Sequence, residues 1–156
     1  MKILSIVSHP HPTYSEAMKE VIKLTCNYWK NKGLTIIAGI EARGFITGSI
    51  IANHLSLPFV PIRKKGKLPG GVVGVNYSLE YGEDRLEMQS DVFDKGTKVL
   101  LVDDLLATGG TLRCGEELIN IKEGNVLFSL TVIELVKLNG YKNLNSKVYS
   151  LVKYND

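Results

Sequence analysis

Apolar positions along the chain switch repeatedly between a helical period and short unbroken runs. Behind Thr13, with Glu16 in capping-box spacing, Ala17, Val21, Leu24, Tyr28 and Trp29 recur at helical intervals and predict a first helix to about Lys32. Gly33 stops it, and residues 34–39 form an uninterrupted apolar run, the signature of a strand covered on both faces in a parallel sheet. A loop at 41–44, a helix over 45–55 and a second strand over 58–62 follow. Residues 98–102 predict a third buried strand, followed by a loop over 103–111, a helix to about Glu123 and a fourth strand from Val126 to about Val136. Such alternation predicts an α/β fold with a central, mostly parallel sheet flanked by helices. Between the halves, residues 63–93 are polar and glycine-rich, with a candidate antiparallel pair over 72–77 and 84–89. An insertion of this length predicts a flexible functional lid.

With 156 residues, 44% hydrophobic and 22% charged, the chain predicts a single domain over 1–156. The formal charge of +3 suits a small anionic ligand and is too small to argue for a nucleic-acid surface. Cys26 and Cys114 are the two cysteines and form no CxxC pattern, which argues against a disulfide framework or a zinc site and for a reducing, cytoplasmic setting. Both read as packing residues, as does Trp29. His9, His11 and His54 have no metal-ligand spacing. Met1 to Val7 is too short for a signal-peptide core, and no apolar run approaches the roughly 20 residues that span a bilayer, so no membrane partner is expected. No internal repeat is visible.

The richest string is Val99-Leu100-Leu101-Val102-Asp103-Asp104-Leu105-Leu106-Ala107-Thr108-Gly109-Gly110-Thr111. A buried strand delivers two adjacent carboxylates to its C-terminal edge, where open α/β sheets bind ligands. The backbone N–H groups of Ala107, Thr108, Gly109, Gly110 and Thr111, at the positive end of the next helix, suit a phosphate dianion. Without a P-loop lysine or a GxGxxG pattern, neither a triphosphate nor a dinucleotide is favoured. Carboxylates accept hydrogen bonds from sugar hydroxyls, so the pair Asp103 and Asp104 beside the cup reads as a ribose-5-phosphate site.

This string resembles the fingerprint of the type I phosphoribosyltransferases, which bind 5-phosphoribosyl-1-pyrophosphate. Three more strings, Ile37 to Phe45, Ile62 to Gly70 and Tyr77 to Gly82, are similar to the adenine branch of that family and stand in its order, so the likeness covers about residues 13–153. The resemblance implies a purine-salvage transferase making AMP and pyrophosphate from adenine and 5-phosphoribosyl-1-pyrophosphate. It also implies a homodimer, and Mg²⁺ carried on substrate oxygens and waters with no direct protein ligand.

Arg43, at the tip of the first loop beside Gly44, suits a pyrophosphate, and by resemblance the loop Ala42, Arg43 and Gly44 binds it, with a cis peptide at Glu41-Ala42. Arg63, Lys64 and Lys67 alone would read as a solvated face, but they end the second strand on the same sheet edge as the cup. By resemblance Arg63 is a pyrophosphate ligand, with Lys64 and Lys67 as looser neighbours. The resemblance also places the Glu80 carboxyl over the purine, where it can shuttle a proton at N7, with Tyr81 and Leu105 in the base pocket. At the N-terminus, Ile3-Leu4-Ser5-Ile6 stand where the family carries a Phe-Arg-Asp-Ile hood segment, so residues 1–12 read as a reduced hood. That leaves two rivals open: transfer to another purine (hypoxanthine, guanine or xanthine), or a phosphoribosyl pyrophosphate sensor of weak activity.

Overall fold

The computed structural model describes residues 12–79 and 82–155. In chain order the elements are α1 (Pro12–Trp29), β1 (Ile36–Ile40), α2 (Glu41–Leu55), β2 (Phe59–Lys64), β3 (Val72–Leu79), β4 (Gly82–Gln89), β5 (Lys98–Leu106), α3 (Gly110–Ile121) and β6 (Asn125–Leu135). Two 3-10 turns, Val136–Leu138 and Gly140–Asn143, then lead to β7 (Lys147–Tyr154). The sheet order is β3-β4-β2-β1-β5-β6-β7. Neighbours from β2 through β7 pair in parallel, whereas β4 pairs antiparallel with both β2 and β3.

All five residues of β1 are buried because helices cover both faces of the sheet. Ala38, Ile40 and Leu101 pack with Leu118 and Ile119 of α3 on one side; Ile37 and Leu100 pack with Trp29 and Ile51 of α1 and α2 on the other. Each large apolar side chain taken fully out of water contributes about 1.5–3 kcal/mol, which is why strand identity follows the continuous apolar runs.

Several boundaries differ from the sequence expectation. Helix α1 ends at Trp29 rather than near Lys32, and β1 starts at Ile36. Residues 41–44 are not a loop: α2 begins at Glu41, directly after β1, with the change of direction taken up by Glu41 itself at φ 48°. No peptide bond among the described residues is cis, so the expected Glu41-Ala42 cis bond is replaced by this left-handed residue. Strand β5 runs on to Leu106, which makes Asp103, Asp104 and Leu105 strand residues rather than loop. The pair expected within the insertion is present as β3 and β4, and it joins the sheet through Arg63↔Glu87 and Lys64↔Leu86, so these arms are an edge of the sheet. Strand β7 carries no clear sequence signal, because an edge strand with half-buried residues has no unbroken apolar run. The expected hood lies outside the described residues apart from Pro12, which opens α1.

Candidate active site

The C-terminal ends of β1, β2 and β5 surround a cleft of about 380 Å³. The start of α2 supplies Ala42 and Arg43, the end of β2 supplies Lys64, β5 supplies Asp103, Asp104 and Leu105, and the following loop and first residues of α3 supply Ala107 to Thr111. Residues distant in sequence meet here because parallel strands all end on one edge.

Asp103 is 8% exposed and accepts a hydrogen bond from the Asp104 backbone N–H at 2.8 Å. Burial, and then the neighbouring Asp104 charge, push its carboxyl well above the usual range. Asp104 is held by Arg43, whose Nε lies 3.0 Å from Oδ2. One carboxyl therefore faces the cleft with a raised proton affinity, the other as the partner of a guanidinium.

In the loop after β5, Gly109 has φ 87° and caps α3, so the unpaired N–H groups of the helix's first turn open at the cleft. The turn Gly140–Asn143 supports this loop from behind. A Cβ on Gly109 would meet the Gly140 carbonyl oxygen at 2.5 Å, and Asn143 Nδ2 donates to the Thr108 carbonyl at 2.8 Å. Glu116 of α3, 1% exposed, accepts from the backbone N–H groups of Asn145 and Ser146 at 2.9 Å each and so fixes the chain that leaves the turn.

The cations separate into two groups. Arg43 and Lys64 line the cleft. The Lys64 Nζ lies 2.8 Å from Asp84 Oδ2; this contact raises the affinity of the lysine for its proton and lowers the Asp84 carboxyl. Arg63 does not line the cleft. Its guanidinium sits over the Phe45 ring at 5.6 Å, with Nε 3.8 Å from Glu41 Oε1. Lys67 is exposed outside the cleft, and Gly44 lies beneath it, where a Cβ would meet the Val102 carbonyl oxygen at 2.7 Å. The absence of a side chain at Gly44 lets α2 lie directly on β5. Glu80 and Tyr81 lie outside the described residues.

Two cleft residues escape a reading by motif. Glu41, expected to matter only for its peptide bond, accepts from the Lys64 backbone N–H at 2.6 Å through Oε1 and ties the start of α2 to the end of β2. Tyr77 enters from β3; burial and then the Asp84 charge raise its phenol. Tyr77 opens one of the quoted strings, but its place depends on the β3–β4 register, which the string does not show. Both cysteines are buried, and burial pushes the Cys114 thiol up to about 11, so it acts as packing. Among the described residues no group of three or more His, Cys, Asp or Glu side chains is arranged to hold a metal, and no helix is long and apolar enough to cross a membrane.

The phosphoribosyl transferase domain model matches residues 11–155. The chain is 47% identical over 148 residues to the adenine phosphoribosyltransferase of Prochlorococcus marinus strain NATL1A, covering 92% of this chain and 86% of the relative. It is 49% identical over 142 residues to that of Methanococcus vannielii, covering 90% and 82%. Among solved structures, the adenine phosphoribosyltransferase of Thermoanaerobacter pseudethanolicus superposes with a TM-score of 0.86 at 38% identity, covering 90% of this chain and 82% of the other. The Saccharomyces cerevisiae enzyme, complexed with an imino-altritol bisphosphate and adenine, superposes with a TM-score of 0.82 at 36% identity, covering 91% and 81%. Matched along nearly its whole length in both sequence and fold, the chain belongs to the phosphoribosyl transferase domain family, in its adenine phosphoribosyltransferase branch.

Proposed function

We propose that this chain transfers the 5-phosphoribosyl group from 5-phosphoribosyl-1-pyrophosphate to adenine, giving AMP and pyrophosphate. The observation that carries the reading is the meeting, in one cleft, of the Asp103-Asp104 pair, the Gly109 loop and Arg43. These are the three chemistries needed by a sugar bearing hydroxyls, a 5′-phosphate and a diphosphate.

Asp103 and Asp104 accept hydrogen bonds from the ribose hydroxyls, and the N–H groups of residues 107–111 hold the 5′-phosphate. Arg43 and Lys64 take the diphosphate. Arg63 and Lys67 stand outside the cleft as neighbours of the diphosphate site, and Gly44 keeps the start of α2 close to β5. As the C1′–O bond breaks, its electrons leave on pyrophosphate and positive charge develops on the sugar. Cations fixed at the leaving group stabilise that transition state. N9 of adenine then bonds C1′, and the ring gives up one proton, which the Glu80 carboxylate takes at N7. Leu105 and Tyr81 complete the base pocket, and closure of the β3–β4 arms over the bound substrates excludes water.

The donor set suits Mg²⁺ arriving on the substrate. Among the described residues the cleft offers only two adjacent carboxylates, one already engaged by Arg43, too few to form a protein cage for the ion, so Mg²⁺ would be held chiefly by substrate oxygens and waters. Asp103 and Asp104 would meet it through water, and it would neutralise diphosphate charge when bound. The proposed setting is the cytoplasm, supported by two unpaired buried cysteines, and the proposed assembly is the homodimer implied by the sequence resemblance.

A base panel tests the reading: the chain is mixed with 5-phosphoribosyl-1-pyrophosphate, magnesium and each purine in turn. AMP formation with adenine in preference to hypoxanthine, guanine or xanthine is expected. Binding without product for any base would overturn it in favour of a sensor. Glu80→Gln should lower turnover far more than sugar-phosphate affinity; unchanged turnover would remove Glu80 from the chemistry.

A further inference from the structure

Asp84 belongs to none of the groups assigned to substrate, yet the sheet sets it at the edge of the charged cleft. In the β2–β4 ladder Lys64 stands opposite Leu86, so Asp84, two residues away on β4, is its diagonal neighbour on the same face. In the β3–β4 ladder Asp84 stands directly opposite Tyr77. Its Oδ2 lies 2.8 Å from Lys64 Nζ and 3.5 Å from the Tyr77 hydroxyl, and its Oδ1 accepts from the Arg85 backbone N–H at 2.8 Å. Lys64 and Tyr77 line the cleft; Asp84 does not, and grips the lysine from behind.

Among the described residues both cations lining the cleft are paired with carboxylates of the protein, Arg43 with Asp104 and Lys64 with Asp84. For Arg43 the exchange has an evident partner: when diphosphate takes the guanidinium, Asp104 is freed for a ribose hydroxyl. Asp84 has no substrate group assigned to it, and apart from Lys64 it is held by the Arg85 N–H and the Tyr77 hydroxyl. Its charge stays beside any anion that takes Lys64 and opposes that anion. Lys64 is 56% exposed and Asp84 20%, so water can solvate either partner when the pair opens, and the exchange is reversible.

We propose that Asp84 is a competing partner for Lys64, which limits the grip of the cleft on pyrophosphate and reclaims the lysine as the product leaves. The proposal rests on the phosphoribosyl-transfer reading of the cleft. Asp84 acts through Lys64 and touches no reacting atom. A residue needed only for structure would weaken binding when changed, whereas a competitor tightens it.

The test is calorimetric titration of inorganic pyrophosphate into the folded chain, with thermal unfolding as the check on integrity. Asp84→Asn keeps the shape and, through its Oδ1, the bond from the Arg85 N–H; its NH₂ meets the Tyr77 hydroxyl as a donor, and the charge is removed. It should tighten pyrophosphate binding roughly three- to tenfold, as expected for a partly exposed ion pair plus one repelling charge. The gain should shrink as salt is raised. Asp84→Glu, which restores the charge, should remain within about twofold of the native chain. In a Lys64→Met background, Asp84→Asn should gain less than half as much, because the competition has lost its object. If Asp84→Asn does not fold, Asp84→Ser makes the same comparison. Unchanged or weaker binding, or an equal gain with and without Lys64, would overturn the proposal. Failure of the native chain to bind pyrophosphate would instead sink the phosphoribosyl-transfer reading itself.

Discussion

Glu116 links the stability of the domain to the phosphate end of the cleft, and replacing it by glutamine tests that link. Its carboxylate is 1% exposed and accepts two backbone N–H bonds at 2.9 Å, from Asn145 and Ser146. These residues follow the turn Gly140–Asn143, whose Gly140 backs Gly109 and whose Asn143 holds the Thr108 carbonyl. An amide in the same place has one accepting oxygen, and its NH₂ faces the second backbone N–H. One charged hydrogen bond is lost and the other becomes neutral. At about 1.5–3 kcal/mol for each bond to a charged group, partly offset because no charge is then buried, the net loss is about 2–3 kcal/mol. For a domain of this size each kcal/mol moves Tm by about 2–4 °C, so a drop of about 5–10 °C is expected. Circular dichroism melts measure it, and calorimetry with ribose 5-phosphate should show weaker binding in the same variant. A Tm within about 1 °C of the native chain, with unchanged ribose 5-phosphate affinity, would refute the argument that this clamp holds the turn and the turn holds the loop.

Three further outcomes follow from the same geometry. Gly109→Ala should abolish measurable ribose 5-phosphate binding at millimolar ligand: a left-handed alanine costs about 1–2 kcal/mol, and its Cβ would lie 2.5 Å from the Gly140 oxygen, so the loop must move; retained affinity in the same titration would count against the cup. Arg43→Ala should slow the reverse reaction from AMP and pyrophosphate at least tenfold while the chain stays folded, since the guanidinium is 54% exposed although Asp104, 12% exposed, loses its partner; normal reverse kinetics would remove Arg43 from the diphosphate site. Because the Asp103 carboxyl is raised, the folded chain holds a proton that the unfolded chain releases near pH 3.8, so this group's contribution to stability falls as pH rises from there through its raised value. Urea unfolding across that window should show the slope in the native chain and not in Asp103→Asn; parallel curves would refute the assignment. The difference between the two chains isolates Asp103 from Glu87, whose lowered carboxyl acts in the opposite sense, with stability lost as pH falls through its depressed value.

The sequence by itself determined the alternating α/β plan and the heart of the cleft. Strands buried on both faces must be unbroken apolar runs, so β1 and β5 are legible as such, and the carboxylate pair and the loop after it stand in one contiguous string. Local spacing also places Arg43 beside Gly44 and sets Lys64 at the end of a strand. Tertiary structure alone decided which neighbours complete these groups. Arg63 and Lys64, successive on β2, point to opposite faces, but which face meets Phe45 and which the cleft depends on the packing of α2 and the pairing of β4; that Glu41 adopts a left-handed turn goes with α2 packing against β5 through Gly44. Asp84 meets Lys64 and Tyr77 because two ladders fix its register, and Gly140 meets Gly109 across a turn held by Asn143 and, beyond it, by Glu116. Such contacts join residues many positions apart, and their energy comes from burial and hydrogen bonds that do not exist until the strands have paired.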